Sequence, residues 1–311
     1  MFQFGIAALS LVIIMFSASY IITAASDYAK KTGVSDYLIG FLVLSIGTSL
    51  PELTTAFVAS FSGAGNLVLG DVLGANIIDV TIVLGIMSIV GKKIFVHGKI
   101  LTETLFTVMI MVILPFILGF DGLLSRRDGI ILVVSFLVYI ISLLKKEGKF
   151  GELKKQLHWK DIWQDMFIIT GCVIALLLSA NWLIHAARNI AYMMDIPEFI
   201  VGLVLVAVGT TVPELTVELK SVISGSTGIA FGDILGSVVT NSSLVLGIAA
   251  ILNPISFERS GFINSASFMI TAVFISLLFI KKKEITWQEG IGLLMIYITF
   301  ILTVGIADYI T

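Results

Sequence analysis

The stretch GTSLPEL, residues 47–53, places a proline and a carboxylate in the middle of an apolar run that is long enough to cross a bilayer. Apart from Glu52, no charged residue occurs between Asp36 and Asp71. A second stretch, GTTVPEL, repeats this arrangement at residues 209–215. A charge at the bilayer centre costs at least about 2.5–3.5 kcal/mol, and acids inside a membrane are by default functional. The two stretches therefore indicate a duplicated functional site inside a membrane.

The composition is that of an integral membrane protein. The chain has 311 residues, of which 58% are hydrophobic and 13% are charged, whereas a soluble domain carries about 25% charged residues. The mean hydropathy is +1.07. The net charge of −2 and the lack of a basic stripe give no indication of nucleic-acid binding. The first 26 residues are uncharged, and without a positive n-region we expect a retained helix and no cleaved signal.

Cysteine and histidine usage argues against a transition-metal centre. The single cysteine, Cys172, allows no internal disulfide and no multi-cysteine metal site. The histidines His97, His158 and His185 lie near the ends of predicted segments, where solvated loop residues are the better interpretation. The sequence has no nucleophile–base pair, histidine-rich metal motif or phosphate loop, so we expect no enzyme and no bound cofactor.

Ten segments are long and apolar enough to span a bilayer, which takes about 20 mostly apolar residues. Their continuous runs are too long for the alternating strands of a membrane barrel. We therefore predict an all-α polytopic membrane protein with ten transmembrane helices, in which proline interrupts helices 2 and 7. The segments, called span 1 to span 10, are residues 3–25, 37–61, 66–91, 102–120, 128–144, 165–187, 198–222, 228–252, 261–280 and 288–307.

The chain consists of two similar halves. A shift of 162 residues, with no gap, superimposes the motif of residues 40–85 on that of residues 202–247. We predict a first five-helix repeat at residues 1–144, a linker at 145–164 and a second five-helix repeat at 165–311. The shift aligns Gly40 with Gly202, Gly47 with Gly209, Thr48 with Thr210, Pro51 with Pro213, Glu52 with Glu214, Gly70 with Gly232, Asp71 with Asp233, Gly74 with Gly236 and Gly85 with Gly247.

An odd number of spans in each half places the second repeat upside down relative to the first. The loops after spans 1, 3, 5 and 9 share one side by alternation, and this lysine-rich side is predicted to be cytoplasmic. Both termini are then extracellular and the linker is cytoplasmic. The lysine-rich side carries Lys30, Lys31, Lys92, Lys93, Lys99, Lys145, Lys146, Lys149, Lys154, Lys155, Lys160, Lys281, Lys282 and Lys283, and the other side carries Arg126, Arg127, Arg188 and Arg259.

The predicted membrane core contains many acids and almost no base. Its only base, Lys220, lies near a helix end, where its amine reaches the interface. The acids therefore need protons or metal cations. The alternative is a purely structural role, in which the acids are protonated and hydrogen-bond neighbouring helices. For Asp71 and Asp233, a helix-capping role is as consistent with the sequence as a role in the site. The acids are Glu52, Asp71, Asp79, Glu214, Glu218 and Asp233.

Oxygen atoms dominate the groups around these acids. Pro51 and Pro213 cannot donate an N–H and clash with the carbonyl four residues earlier, so we expect them to free the carbonyls of Gly47 and Gly209. Hydroxyls share the glutamate face of span 2, and spans 3 and 8 add Asp79 and Asn241. Hard oxygen ligands favour Ca²⁺, Mg²⁺, Na⁺ or H⁺. The flexible coordination of Ca²⁺ suits carboxylates combined with carbonyls.

These motifs resemble a known family. GTSLPEL with GDVLGANIIDVTIVLG, and GTTVPEL with GDILGSVVTNSSLVLG, are similar to the two alpha-repeats of the sodium/calcium exchangers in the cation/Ca²⁺ antiporter superfamily. The resemblance implies that Glu52 and Glu214 ligate Ca²⁺ with backbone oxygens of Thr48 and Thr210. It implies Na⁺ sites from Ser49, Thr211, Ser237 and the carbonyls near Ser45 and Ala207, and it places Asp79 and Asn241 at the Asn/Asp positions of spans 3 and 8.

The sequence departs from the family pattern in four places. Ala75 stands where the motif commonly has a serine, which removes a hydroxyl for Na⁺. The acid of the Asp79/Asn241 pair lies in the first repeat, whereas relatives can have it in the second. Asp71 and Asp233 replace the usual asparagines, and Glu218 has Ala56 as its repeat mate. These changes bear on the coupling ion and leave the divalent site intact.

We therefore expect a secondary antiporter in the cell membrane that exchanges Ca²⁺ for Na⁺ by alternating access at a midplane site. A Ca²⁺ or other cation/proton exchanger is the alternative, with Asp71, Asp233 or Glu218 as proton carriers. A cation channel is a more remote alternative. Channel filters are commonly rings of like groups, and one glutamate in each half fits a carrier better.

Overall fold

The computed structural model describes residues 2–30, 37, 39–96, 99–147 and 159–310. Residues 148–158 of the predicted linker, together with His97 and His158, lie outside the described residues. The described residues of all ten predicted spans are helical, apart from turns at Ser49, Thr211 and residues 119–120. Spans 1 and 6 extend beyond their predicted ends, and their helices pack along one another.

The helical segments follow one another with short connections. The α-helices are α1 Phe2–Lys30, α2 Ser45–Thr48, α3 Leu50–Phe61, α4 Gly65–Ile78, α5 Leu84–Gly91, α6 Lys99–Leu118, α7 Arg126–Glu147, α8 Trp159–Met194, α9 Glu198–Val201, α10 Ala207–Thr210, α11 Val212–Ile223, α12 Thr227–Val239, α13 Leu246–Leu252, α14 Arg259–Lys281 and α15 Trp287–Ile310. Four π-helical segments lie at Ile39–Leu44, Asp79–Val83, Gly202–Val206 and Thr240–Val245.

Length and apolar composition identify membrane-crossing helices in the described part of the chain. Five helical stretches qualify, and a sixth is formed by Gly40–Thr48 and Leu50–Phe61, which meet at an angle of 46°. Shorter apolar helices lie at Phe2–Ser17, Glu103–Leu118 and Trp287–Thr303. The protein is an integral membrane protein, and the count of ten spans stays a prediction.

The four helices that carry the duplicated motifs are all interrupted. Pro51 lies at the start of α3, directly after the break at Ser49, and Pro213 starts α11 in the same way after Thr211. The break is expected because proline removes an N–H from the helical ladder. The π-helical segments of spans 3 and 8 contain no proline and were not predicted. Such π-bulges occur frequently at functional sites.

Glycines allow the two halves to pack backbone against backbone. A Cβ at Gly70 would overlap the carbonyl oxygen of Phe199, and a Cβ at Gly232 would overlap that of Tyr37. These contacts are equivalent, because a shift of 162 residues converts the first pair into the second. Gly40 and Gly202 meet the opposite half in the same manner. The repeated contacts support the prediction of two related halves that are packed around a shared centre.

Two small antiparallel ribbons join loops from opposite halves. Strand β1 (Lys93–Phe95), after span 3, pairs with β4 (Glu284–Thr286), after span 9. Strand β2 (Leu123–Leu124), after span 4, pairs with β3 (Ile255–Ser256), after span 8. Each ribbon needs its two loops on one side of the membrane, as the alternation of ten spans also requires. The purely α-helical expectation was wrong at these strands, because two or three residues show no detectable alternation.

Candidate functional site

The predicted site residues lie in the interrupted middle of the molecule. None of the fourteen is more than 2% exposed. Most of them occupy the breaks, the π-helical segments and the helical turns next to them, and Asp71, Asp233 and Glu218 lie about two turns away. They are Ser45, Thr48, Ser49, Glu52, Asp71, Asp79, Ala207, Thr210, Thr211, Glu214, Glu218, Asp233, Ser237 and Asn241.

The two motif glutamates occupy equivalent positions in the two halves. Glu52 lies in the first turn of α3 and Glu214 in the first turn of α11. Both side chains are fully buried, and their carboxylate oxygens have no hydrogen-bond partner in the described structure. The positive end of a helix dipole supports a carboxylate in its first turn, but this effect is worth only about 0.3–2 kcal/mol. It is smaller than the cost of a buried charge, so the pair still needs a cation or protons.

Two aspartates connect the halves by hydrogen bonds. Thr48 Oγ1 donates to Asp233 Oδ1 across 3.0 Å, and Thr210 Oγ1 donates to Asp71 Oδ1 across 3.2 Å. Thr48 and Ser237 also share a hydrogen bond of 3.2 Å between their hydroxyls. Each threonine therefore contacts the aspartate of the opposite repeat, next to the glutamate of its own repeat.

The helix-capping interpretation of these aspartates is wrong. Asp71 lies six residues into α4, which starts at Gly65, and Asp233 lies six residues into α12, which starts at Thr227. Neither helix has an acid in its first turn or a side-chain cap. Both aspartates are therefore buried about two helical turns beyond the loop that precedes them.

Asp79 and Asn241 occupy equivalent positions in the two repeats but differ in residue type. Asp79 opens the π-helical segment of span 3, and Asn241 is the second residue of the equivalent segment of span 8. Both are fully buried, and the described residues provide no hydrogen-bond partner for either side chain. Unsatisfied buried polar groups are rare in folded proteins. Two at matched positions indicate a ligand or bound water between the repeats.

The acids interact with one another and not with bases. Glu214 interacts electrostatically with Glu52, Asp79 and Asp233, and Glu52 also interacts with Asp71. The ion pairs identified among the described residues involve surface groups, such as Lys93 with Glu284 and Arg188 with Glu198, and none of them reaches these acids. The centre of the molecule therefore attracts cations.

Carboxylates alone do not complete a metal site. In the described ranges, no group of three histidine, cysteine or acidic side chains is arranged to hold a metal ion. A bound cation would need additional oxygens from hydroxyls, amides and carbonyls, as the mixed inventory of the sequence suggests. Ser49 Oγ has no hydrogen-bond partner, so it is one such oxygen.

The carbonyl oxygens are less open than the prolines predict. The carbonyl of Gly47 still accepts a backbone N–H at the end of α2. The carbonyl of Ala207 accepts the N–H of Thr211 at 3.1 Å and the hydroxyl of Thr211 at 2.5 Å. The hydroxyl of Ser45 bonds the carbonyl of Phe41, where it lies against Gly236. The expectation that Pro51 leaves the Gly47 carbonyl free is therefore wrong, because the N–H of Ser49, two residues before the proline, is directed at this carbonyl.

Sequence reasoning missed two polar residues beside the site. Thr55 donates to Asp71 Oδ2 across 3.0 Å. Asn76 is fully buried, and its amide nitrogen donates to Ser242 Oγ across 2.8 Å while its oxygen has no partner. A signal for Asn76 was present, because an amide in the middle of a long apolar run is unusual. Thr55 gave no such signal, since threonine is common in membrane helices.

Comparisons with known proteins find relatives that match most of the chain. The model of the family described as "Sodium/calcium exchanger protein" matches residues 2–145 and 165–305. The chain is 27% identical to the sodium/calcium exchanger MaX1 of Methanosarcina acetivorans, over 96% of this chain and 97% of that protein. It is 29% identical to the inner membrane protein YrbG of Escherichia coli, over 92% and 90% of the respective chains.

Solved structures of a sodium-calcium exchanger also match the chain over nearly its full length. The chain superimposes on the sodium-calcium exchanger NCX_Mj, in a crystal soaked with 100 mM Na⁺ and 10 mM Sr²⁺, with a TM-score of 0.72. The sequences are 26% identical, and the match covers 96% of this chain and 97% of that chain. A crystal of the same protein soaked with 2.5 mM Na⁺ and 0.1 mM Ca²⁺ matches with a TM-score of 0.72.

Proposed function

Because the chain belongs to the sodium/calcium exchanger protein family, we propose that it carries Ca²⁺ across the membrane in exchange for Na⁺. This family is one of transporters and not of enzymes, and the protein is a membrane antiporter of cations. The proposal adds the pair of ions and the site, which comprises Glu52, Glu214 and the oxygens between them.

One observation carries the proposal: Glu52 and Glu214 are fully buried at equivalent positions, and none of their four carboxylate oxygens has a hydrogen-bond partner in the described structure. Two carboxylates supply the two negative charges that a Ca²⁺ ion neutralises. Ca²⁺ takes six to eight oxygens at about 2.3–2.6 Å, so backbone oxygens of Thr48 and Thr210 would complete its shell. Asp79 and Asn241 lie on the neighbouring helices and add oxygen atoms to the same region.

Na⁺ would occupy positions beside the glutamates. The oxygens available are those of Ser49, Thr211 and Ser237, together with the carbonyls of Ser45 and Ala207. Thr211 Oγ1 donates to the carbonyl of Ala207 at 2.5 Å. Sodium ligation would replace this hydrogen bond, because both oxygens would then turn toward the cation.

Competition for the same carboxylates explains exchange. A bound Ca²⁺ ion neutralises the same carboxylates that several Na⁺ ions would otherwise neutralise. Binding of Ca²⁺ and binding of Na⁺ therefore exclude one another. The empty site retains a buried negative charge, and a membrane core opposes any closed state in which that charge is uncompensated. The loaded forms can therefore change between inward and outward access, whereas the empty form resists the change. The inverted repeats build the two forms from equivalent parts.

Spans 1 and 6 are the candidates for the moving part. Helix α1 packs along α8, and neither helix carries one of the proposed ligands. Both helices also contact the motif helices. We infer that α1 and α8 shift together over the four interrupted helices and open the site to one side at a time.

The proposed location is the cell membrane, with both termini outside and residues 145–164 in the cytoplasm. The lysine excess in the loops after spans 1, 3, 5 and 9 supports this orientation.

A second candidate function is Ca²⁺/H⁺ exchange, because Asp71, Asp233 and Glu218 add buried acids and Ala75 removes a hydroxyl from the sodium sites. A transport assay distinguishes the two candidates. Ca²⁺ uptake would be measured in proteoliposomes loaded with Na⁺, with K⁺, or with a pH gradient imposed in the absence of Na⁺. We expect uptake only with Na⁺ loading. Uptake driven by the pH gradient alone would show that H⁺, and not Na⁺, is the coupling ion. Fast uptake without any counter-ion gradient would indicate a channel.

A further inference from the structure

The two halves of the site differ one helical turn beyond each motif glutamate. In the first half, Thr55 donates to Asp71 Oδ2 across 3.0 Å. Together with the bond from Thr210 to Asp71 Oδ1 at 3.2 Å, this satisfies both oxygens of Asp71. The next residue, Ala56, is apolar and fully buried. The first half therefore leaves no unpaired acid at this level.

The second half has the opposite arrangement. Val217 occupies the position equivalent to Thr55 and has no hydroxyl to donate, and Glu218 replaces Ala56. Asp233 Oδ2 consequently has no hydrogen-bond partner, and both carboxylate oxygens of Glu218 also lack one in the described structure. Both side chains are 0% exposed. Three unpaired carboxylate oxygens are thus buried where the first half has none.

The two carboxylates belong to one place in the fold. Glu218 lies on α11 and Asp233 on α12, and these two helices pack directly against each other. Asp233 and Asp79 are the acids close enough to Glu218 to interact with it electrostatically. The side chain of Lys220, two residues after Glu218, is exposed. Two buried carboxylates without a base need a bound cation or protons.

We propose that Glu218 and Asp233 form a second cation site, which binds a monovalent hard cation, Na⁺, during the exchange cycle. The inference rests on the proposed Ca²⁺/Na⁺ exchange. Three free carboxylate oxygens are too few for the six to eight ligands of Ca²⁺. They suit an ion of lower charge that completes its shell with water or with hydroxyls. The absence of imidazole and thiolate at the pair excludes a preference for softer metals.

The site lies to one side of the glutamate pair. Glu218 follows Glu214 by four residues, which is about 6 Å along a helix. The α11 helix then ends at Ile223, and Thr227 of the next helix donates from its hydroxyl to the carbonyl of Phe95 across 3.0 Å. Phe95 belongs to strand β1, whose ribbon with β4 connects lysine-bearing loops. The second site is therefore on the lysine-rich side of the Ca²⁺ site.

This position gives an otherwise symmetric carrier a directional property. Sodium that enters from the lysine-rich side meets Glu218 before it reaches Glu214, whereas the opposite route passes Ala56. Occupancy of the second site reduces the negative charge around Glu214 and favours departure of Ca²⁺ on that side. The apparent affinity for Na⁺ should consequently depend on Glu218 only when Na⁺ is supplied from the lysine-rich side.

The test measures Na⁺-dependent Ca²⁺ efflux from proteoliposomes at constant pH, with Na⁺ varied on one side at a time. Glu218→Ala copies the first-half residue into the second half. We expect it to raise the half-saturating Na⁺ concentration about tenfold or more on the lysine-rich side and to lower the Hill slope. The half-saturating Ca²⁺ concentration should change less than twofold. Val217→Thr, which supplies the missing donor to Asp233 Oδ2, should shift the Na⁺ dependence in the same direction.

Several controls distinguish the possible outcomes. Glu284→Gln removes an acid from strand β4 and should leave the Na⁺ dependence unchanged. Equal Na⁺ dependence in wild type, Glu218→Ala and Val217→Thr would contradict the proposed second site. Equal increases in the half-saturating concentrations of Na⁺ and Ca²⁺ would contradict it as well. A change in pH dependence without a change in Na⁺ dependence would show a bound proton and would also overturn it. If wild type shows no Na⁺-driven Ca²⁺ movement, the proposed function fails and this inference fails with it. Val217→Thr decides the question if Glu218→Ala does not fold.

Discussion

Thr48 donates a hydrogen bond to Asp233 across 3.0 Å, although the two residues lie 185 positions apart in the chain. The equivalent pair, Thr210 and Asp71, makes the same contact at 3.2 Å. Each bond connects the short helix before one motif proline to the interrupted helix of the opposite repeat. The position of either glutamate therefore depends on both halves of the protein.

Thr48→Val should destabilise the protein by about 1–3 kcal/mol, because it leaves a buried carboxylate oxygen of Asp233 without a donor. Thermal unfolding in detergent would measure the loss. Thr48→Ser retains the hydroxyl and should recover most of the stability. The matched control is Thr216→Val, since the hydroxyl of Thr216 is exposed and bonds only the carbonyl of Val212. Equal stability of Thr48→Val and wild type would show that the hydrogen bond between Thr48 and Asp233 does not stabilise the protein.

Neutralising either motif glutamate should abolish Ca²⁺ transport. Glu52→Gln and Glu214→Gln each retain side-chain size but remove a charge that the divalent ion needs, so we expect a loss of at least about a hundredfold. Radioactive Ca²⁺ uptake into Na⁺-loaded proteoliposomes is the measurement. Glu258→Gln, a change at an exposed acid that bonds the hydroxyl of Ser260, serves as the control. Uptake at the wild-type rate in either core variant would exclude that glutamate from the site.

Gly70→Ala should prevent the close approach of the two halves. The new Cβ would meet the backbone of Phe199, which cannot rotate away as a side chain could. We expect a loss of about 3 kcal/mol or more, at the upper end of overpacking effects, measured as the yield and melting temperature of purified protein. Gly292→Ala is the control, because no atom lies within 4 Å of its added Cβ and alanine favours a helix. Similar behaviour of the two variants would contradict the backbone contact.

Ala75→Ser should strengthen Na⁺ binding by restoring the hydroxyl that the family motif commonly has. Ala75 is fully buried on the stripe that includes Asp79. One added ligand is worth about 1 kcal/mol, which corresponds to roughly a fivefold lower half-saturating Na⁺ concentration. The Na⁺ dependence of Ca²⁺ efflux measures this change. Ala59→Ser, also fully buried but outside the proposed site, is the control, and an equal effect in both variants would exclude a specific role for Ala75.

Cysteine labelling should place the two ribbons on opposite faces of the membrane. In a Cys172→Ser background, an impermeant thiol reagent added to intact cells should label Ser256→Cys in strand β3. It should label Lys281→Cys only after permeabilisation, because α14 crosses the membrane between the two positions. Both residues are exposed. Labelling of both cysteines from the same side would contradict the alternation of spans, and the reverse pattern would invert the proposed orientation.

The sequence predicted those features that depend on local composition or on self-similarity. Apolar runs between charges located the helices, since a bilayer imposes length and composition on each span separately. The shift of 162 residues from Gly47 to Gly209 showed the duplication without any structure. Membership of the sodium/calcium exchanger family, expected from the paired motifs, is confirmed by the family match over both halves.

The sequence predicted the proposed site residues as a set, and their ligand roles stay predictions. Glu52 and Glu214 were recognised because an isolated acid in an apolar run is unusual. Asp71 and Asp233 were given a capping alternative that is wrong, because each lies six residues beyond a helix start that hydropathy placed to within one residue. The four short strands were missed, because their pairing partners are more than 130 positions away.

The sequence by itself determined that the chain is a duplicated membrane protein with acids in its core, because charge, length and repetition can be read along the chain. Only the tertiary structure decided which oxygens are satisfied. In the structure Thr55 donates a hydrogen bond to Asp71, whereas the corresponding oxygen of Asp233 has no hydrogen-bond partner among the described residues. Whether a buried carboxylate is paired depends on helices from both halves meeting within about 3 Å. That distance is set by packing, such as the contact of Gly70 with the opposite backbone.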